Sequence, residues 1–220
     1  MPFDDKIKNK VLLWCDRHCC LCKKACGINI EVAHIIPENK GGNPELDNAI
    51  PLCFECHSNV GSYNVQHPLG TKYKPDELKA RREQIYEEYT RHLVPPLHYQ
   101  VTQVLPDGRS KRIFPDVGFI LTHLGDSLPV KVCTKIEAVE NKDSIHNFTG
   151  GHYYGEKLWH LNPRFMISGH FSIPDEIQKK VKPLKLRVSV SIIDQYEREH
   201  SYLPIEYIYV PDGDYWYLEP

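Results

Sequence analysis

Four cysteines carry the plainest chemistry in the chain. Cys19 and Cys22 form one Cys-x2-Cys pair and Cys53 and Cys56 a second, with residues 23–52 between them. Each pair sets two thiolates on one side of a turn, and two such turns make a tetrahedral four-sulfur site for a structural Zn2+. Seven of the eight cysteines lie in the first 56 residues, and only Cys133 lies beyond. In a chain without an export signal, that clustering points to metal rather than disulfides. Zinc supplies about 10–16 kcal/mol to small domains, enough to hold a short piece with little core. Cys20 or His18 could stand in for Cys19, while Cys15 and Cys26 read as small buried apolar residues.

A second set of residues lies within and just after the cysteine frame. It comprises Glu31, His34, Asn48 and His57. A histidine titrates near neutral pH and suits a general base, worth roughly 100- to 10,000-fold when well placed. The run Glu31-Val32-Ala33-His34-Ile35-Ile36-Pro37, then Gly41-Gly42, Asn48, and Leu52-Cys53-x2-Cys56-His57, resembles the HNH endonuclease family over about residues 11 to 60. The resemblance implies a ββα-metal fold, in which a β-hairpin and a helix clasp one divalent ion, Mg2+ or Mn2+. It implies His34 as the base that activates water, His57 as a metal ligand, and Asn48 as the amide that pins the loop orienting His34. The ion would act as a Lewis acid at the phosphate and the leaving oxygen.

One position departs from the family pattern. The residue before the base is usually Asp or His and ligates the ion; here it is Ala33. Glu31 can supply an oxygen instead, since residues two apart on a strand share a face. Water or phosphate can fill the gap at the cost of metal affinity, or the site is dead. The expectation is the first two together. His57 also has a plainer reading as a helix-start histidine or a fifth residue of the zinc site, and Asn48 as a turn residue.

These residues need elements to hold them. Residues 4–17 read as a short amphipathic helix and 28–36 as a β-branched strand stopped by Pro37. Residues 49–52 read as a second extended piece, and helix resumes near Phe54 and fades by Gly61. Residues 75–93 read as a helix with Pro75 in its first turn and Asp76 and Glu77 early, in the order the helix dipole favours. Its Lys79, Arg81 and Arg82, with Lys72 and Lys74, form a basic face interleaved with acids, which reads as solvated. His67 reads as a loop residue. Pro95-Pro96 is the expected boundary between an HNH domain, 1–94, and a second domain, 97–220.

The second domain changes period. Segments 130–139, 164–173, 187–193, 205–210 and 215–218 read as strands, with turn signals at Asp107-Gly108 and Asp212-Gly213. The expected class is α+β, with a zinc-stapled N-terminal ββα-metal domain followed by a mainly β domain, a β-sandwich serving recognition or oligomerisation. Its tyrosines and tryptophans read chiefly as core, and no catalytic motif is found there.

Composition sets the limits. Lys plus Arg is 27 and Asp plus Glu 29, for a formal net charge of −2. A protein that grips DNA through many phosphates is usually basic. The resemblance implies a metal-dependent endonuclease, acting most naturally on double-stranded DNA, and the charge balance adds the expectation that it works as a homodimer or with a partner. A bacterial restriction or anti-phage role is an analogy at fold level. The alternative is a catalytically degenerate, zinc-stabilised module that binds nucleic acid or protein. MPFDDKIKNK has no apolar signal region and no run approaches a membrane span, so a cytoplasmic location is expected.

Overall fold

The computed structural model describes residues 2–61, 73–104, 116–126, 128–148, 158–180, 184–210 and 215–218. The chain divides into two compact units, Met1–Leu93 and Val94–Pro220. His67, Lys72 and the Asp107-Gly108 and Asp212-Gly213 turns lie outside the described residues.

In the first unit, α1 spans Asp5–Trp14, capped by the Asp4 carboxylate, which accepts from the Lys6 backbone N–H at 2.8 Å. The helix is shorter than the expected 4–17. Asp16 and Arg17 take left-handed backbone at φ 45° and 52°, which ends it. Strand β1 (Ile30–His34) pairs antiparallel with β2 (Ala49–Cys53), His34 opposite Ala49 and Ile30 opposite Cys53. All five residues of β2 are buried. A strand covered on both faces needs an unbroken apolar run, which Ala-Ile-Pro-Leu-Cys supplies. Helix α2 (Phe54–Gly61) follows without a linker, and α3 (Pro75–Thr90) comes after the undescribed stretch. Leu78, Arg82, Ile85 and Tyr86 form the buried stripe of α3. Tyr86 meets Trp14 of α1 edge-on, with ring centroids 5.4 Å apart.

The second unit is strand-rich. It contains β3 (Leu97–Val104), β4 (Asp116–His123), β5 (Val130–Glu140), β6 (Asp143–Asn147), β7 (Trp159–Leu161), β8 (Met166–Phe171), α4 (Asp175–Lys180), β9 (Lys185–Ile193), β10 (Glu199–Ser201), β11 (Ile205–Val210) and β12 (Tyr215–Leu218). One antiparallel sheet runs β12-β11-β9-β5-β6, with β10 on β9 and β7 on β5; a second runs β3-β4-β8. Strand β9 buries every second residue from Leu186 to Ile192, the period-2 pattern its sequence carries. Phe119 and Leu121 of the small sheet join Ile136, Val188 and Tyr209 of the large one in a single core cluster, so two sheets enclose one core. Tyr207 and Tyr209 belong to that core, whereas Tyr217 is exposed. The buried Asp194 carboxylate accepts from the backbone N–H groups of Tyr196 and Arg198 and lies 2.8 Å from His200 Nε2, closing the β9–β10 hairpin. The fold is α+β, as the sequence implies. No helix among the described residues is long and apolar enough to cross a membrane.

Candidate functional site

The cysteine frame comes from two turns. In the first, Cys19 N–H donates to Lys24 O and Lys23 N–H to Cys19 O, both at 2.9 Å, with Lys23 at φ 62°. The second is the β2–α2 junction, where the Cys56 backbone N–H points at Cys53 Sγ at 3.4 Å. The Cys20 backbone N–H donates to Pro51 O at 3.0 Å and ties the first turn to β2. The four sulfurs of Cys19, Cys22, Cys53 and Cys56 lie within 4.8 Å of one another, and the Cys22 and Cys53 sulfurs are 3.8 Å apart. A tetrahedron with metal–sulfur bonds of about 2.3 Å has edges of about 3.8 Å. The cluster therefore fits a four-thiolate ion. Burial pushes the Cys22 and Cys56 thiols up. Burial also opposes ionisation of Cys19, but backbone N–H groups of Cys22, Cys53 and Leu21 outweigh it and bring this thiol to about 7. Cys15, Cys20 and Cys26 are buried outside the four-sulfur cluster.

Helix α2 presents His57 to β1. Its Nδ1 lies 2.6 Å from Glu31 Oε2, and both side chains are partly exposed. Ala33, two residues along the same face as Glu31, is 5% exposed and offers no ligand atom. Two cis ligands at about 2.1 Å from a six-coordinate ion sit about 3 Å apart. Glu31 and His57 thus need separate by only a few tenths of an ångström to share a divalent ion. A carboxylate oxygen suits Mg2+ or Mn2+ and an imidazole nitrogen suits the later transition ions, so the pair offers a divalent ion one donor of each kind.

His34 is placed differently. It closes β1, and strand alternation turns it away from the side that Glu31 and Ala33 share. Its ring stacks on Phe3 with centroids 4.1 Å apart and planes at 26°. Its Nε2 is buried and has no hydrogen-bond partner among the described residues; Glu38 Oε1 is 3.7 Å away. Burial holds the imidazole below its ordinary pKa, so His34 is neutral, the form a base requires, at pH 7.

Asn48 ends a short 3-10 turn, Leu46–Asn48, and is 5% exposed. Its Oδ1 accepts from Ile36 N–H at 2.7 Å, and its Nδ2 donates to Ile36 O at 3.0 Å and Asn43 O at 2.8 Å. The amide fastens the loop that leaves His34. Gly42 completes the clasp, because a Cβ there would stand 1.7 Å from Ile36 O and 2.9 Å from Asn48 Nδ2. Gly42 belongs to the run that resembles the family, whereas nothing in the sequence marks Phe3 or Glu38.

Arg82 is the main correction. Read as part of a solvated basic face, it is instead 6% exposed. Its Nη1 donates to Asp47 O at 2.8 Å and Ala49 O at 3.0 Å, with Leu46 O at 3.4 Å. Lys79 pairs with the Asp47 carboxylate, which holds that carboxyl below its usual range. These contacts fasten α3 to the segment that carries Asn48.

Comparison with known proteins agrees on the cysteine-framed segment. Residues 19–62 match the model of the family described as HNH endonuclease. This segment is an HNH module. The match leaves most of the chain, including α3 and all of the second unit, outside it. No curated protein matches the chain. Among solved structures, the putative ApaA protein from Bordetella pertussis is similar at 10% identity and a TM-score of 0.36, covering 51% of this chain and 92% of that one. That likeness is too loose to say anything of this chain.

Proposed function

We propose that the protein is a metal-dependent endonuclease that hydrolyses phosphodiester bonds, with double-stranded DNA as its substrate. The observation that carries this reading is the contact between Glu31 and His57, at 2.6 Å, beside an alanine where the family places a ligand. A carboxylate from β1 and an imidazole from α2 recreate, one strand repeat away, the pair that Ala33 removes. A divalent cation held there would supply Lewis acidity at the phosphate and the leaving oxygen. His34, whose burial favours the neutral form, is the residue the family resemblance assigns as base. Strand alternation turns it from the side that holds Glu31 and His57, so this role rests on the resemblance and is tested by His34→Ala. Asn48 holds the loop beyond His34 at fixed length. The four-cysteine cluster holds structural zinc and stands apart from the chemistry.

Charge shapes how the enzyme meets its substrate. Residues 1–93 contain 13 Lys plus Arg and 13 Asp plus Glu, a balance of zero. A neutral unit gains little from releasing counterions, so productive binding uses a second copy or a delivering partner. The second unit serves that recognition or pairing, and a defence role in the cytoplasm suits such a fusion. A second reading, a module that binds without cutting, draws support from Ala33 and from that neutral balance. Incubating duplex DNA, single-stranded DNA and RNA side by side with Mg2+ or Mn2+ separates them. Cleavage of duplex DNA, lost with EDTA, supports the nuclease; retention of all three substrates uncut supports the binding module.

A further inference from the structure

We propose that Arg82, which lies outside the segment matching the HNH family, is a positioning residue for His34, acting through Asn48. The inference rests on the nuclease reading for its catalytic consequence and on geometry for the rest. The 3-10 turn Leu46–Asn48 closes one bond, Ala49 N–H to Leu46 O, and leaves the Asp47 and Asn48 carbonyls beyond it. Arg82 reaches across from α3 and supplies donors to the Asp47 and Ala49 carbonyls on either side of Asn48. The Asn48 backbone is therefore clamped from both sides while its side chain grips Ile36 and Asn43. Asn48 also uses its own carbonyl, which accepts from Ile35 N–H at 2.8 Å. His34 is the residue immediately before that doubly held pair, Ile35 and Ile36. A continuous set of hydrogen bonds thus runs from the Arg82 guanidinium to the backbone that aims the base.

The guanidinium is suited to this task and an ammonium is not. Its planar fork meets several carbonyls at fixed angles, while Glu83 Oε1 holds the other side, accepting from Nε at 3.1 Å and Nη2 at 2.9 Å. Arg82 is buried, so substrate does not touch it. Its loss should change the placement of the base rather than the affinity for DNA. A misplacement of about 1 Å at a reacting group costs about 100-fold in rate.

The test compares the full zinc-loaded chain with Arg82→Lys and Arg82→Met. In Arg82→Lys, kcat is expected to fall about 10- to 100-fold with KM within about twofold. Amide exchange at Ile36 N–H should rise at least tenfold, with the amides that pair β1 to β2 unchanged. Arg82→Met keeps the packed stem but no donor, so its kcat should fall further and its Ile36 amide exchange rise further. Equal behaviour of Lys and Met, or Ile36 exchange rising only in step with the hairpin, would assign Arg82 to packing and overturn the proposal. If the parent chain cuts no substrate, the nuclease reading fails by itself, and the Ile36 amide still decides whether Arg82 positions the loop.

Discussion

Glu31 Oε2 and His57 Nδ1 lie 2.6 Å apart, joining the first strand of the HNH hairpin to the helix that closes it. The relationship accounts for how a chain with alanine at the usual ligand position retains a carboxylate and an imidazole side by side. It also assigns the two groups a competition, because a proton shared between them and a divalent ion between them exclude each other.

Glu31→Ala should weaken Mn2+ binding at least tenfold in calorimetric titration of the full chain, with the zinc content unchanged. Ala33→Asp should do the reverse, restoring a ligand on the same face and lowering the Mn2+ concentration needed for half-maximal cleavage. Without divalent ion the same variant should melt earlier, since it buries an unpaired carboxylate. Identical Mn2+ titrations for the parent and Glu31→Ala would remove this residue from the ion site.

Asn48→Ala removes the buried amide that serves the Ile36 N–H and carbonyl and leaves both without their side-chain partner. A stability loss of about 1–3 kcal/mol is expected in urea unfolding, with a larger proportional loss of cleavage. Asn48→Asp keeps an acceptor for Ile36 but turns a carboxylate toward two carbonyl oxygens, and should be no better than Ala. Gly42→Ala should match either one, because its methyl group cannot fit beside Ile36 O. A Gly42→Ala protein with parental stability and rate would contradict the clasp.

Burial of His34 fixes the sign of the pH response. The folded imidazole resists protonation, so cleavage should hold steady as pH falls to the ordinary imidazole value of about 6.5 and decline only below it. Stability behaves in parallel. The unfolded chain takes up the proton first, so stability present above about pH 6.5 is progressively lost as pH drops through the lower folded value. Phe3→Ala uncovers the ring and should move the acid limb of the rate profile upward. An acid limb already present above pH 7 in the parent would contradict a buried base.

The parts of this site that could be read in advance are those whose partners lie close in sequence or follow a period. The paired Cys-x2-Cys turns, the β1–β2–α2 order and the shared face of Glu31 and Ala33 all follow from spacing. Arg82 did not, because α3 is rich in Glu, Lys and Arg and its composition matches a solvated helix. The carbonyls that bury it lie 33 to 36 residues earlier, and backbone acceptors leave no mark in a sequence. Phe3 over His34 was equally silent, since a lone aromatic near a chain terminus has no period to betray its contact. In the second unit, β9 announced itself by strict alternation. The short β7 and β10 did not, because three-residue strands carry too few positions to form a pattern.

Chelation should act on one unit alone. Removing zinc from the full chain takes away about 10–16 kcal/mol from the first unit. Exchange protection in β1, β2 and α2 should collapse while β5 and β9, which form the centre of the large sheet, stay protected. Cys56→Ser should reproduce the effect without chelator. Retained protection of β1 and β2 after complete zinc removal would contradict a staple built on the four sulfurs.

The most direct measurement is the nicking of supercoiled plasmid DNA in Mg2+ or Mn2+ by the parent chain and by His34→Ala, each verified for zinc content and melting temperature. The account predicts metal-dependent nicking by the parent and a loss of at least about 100-fold in His34→Ala with zinc and melting retained. Equal nicking by both proteins, or none by a parent that binds zinc and divalent ion normally, would contradict it.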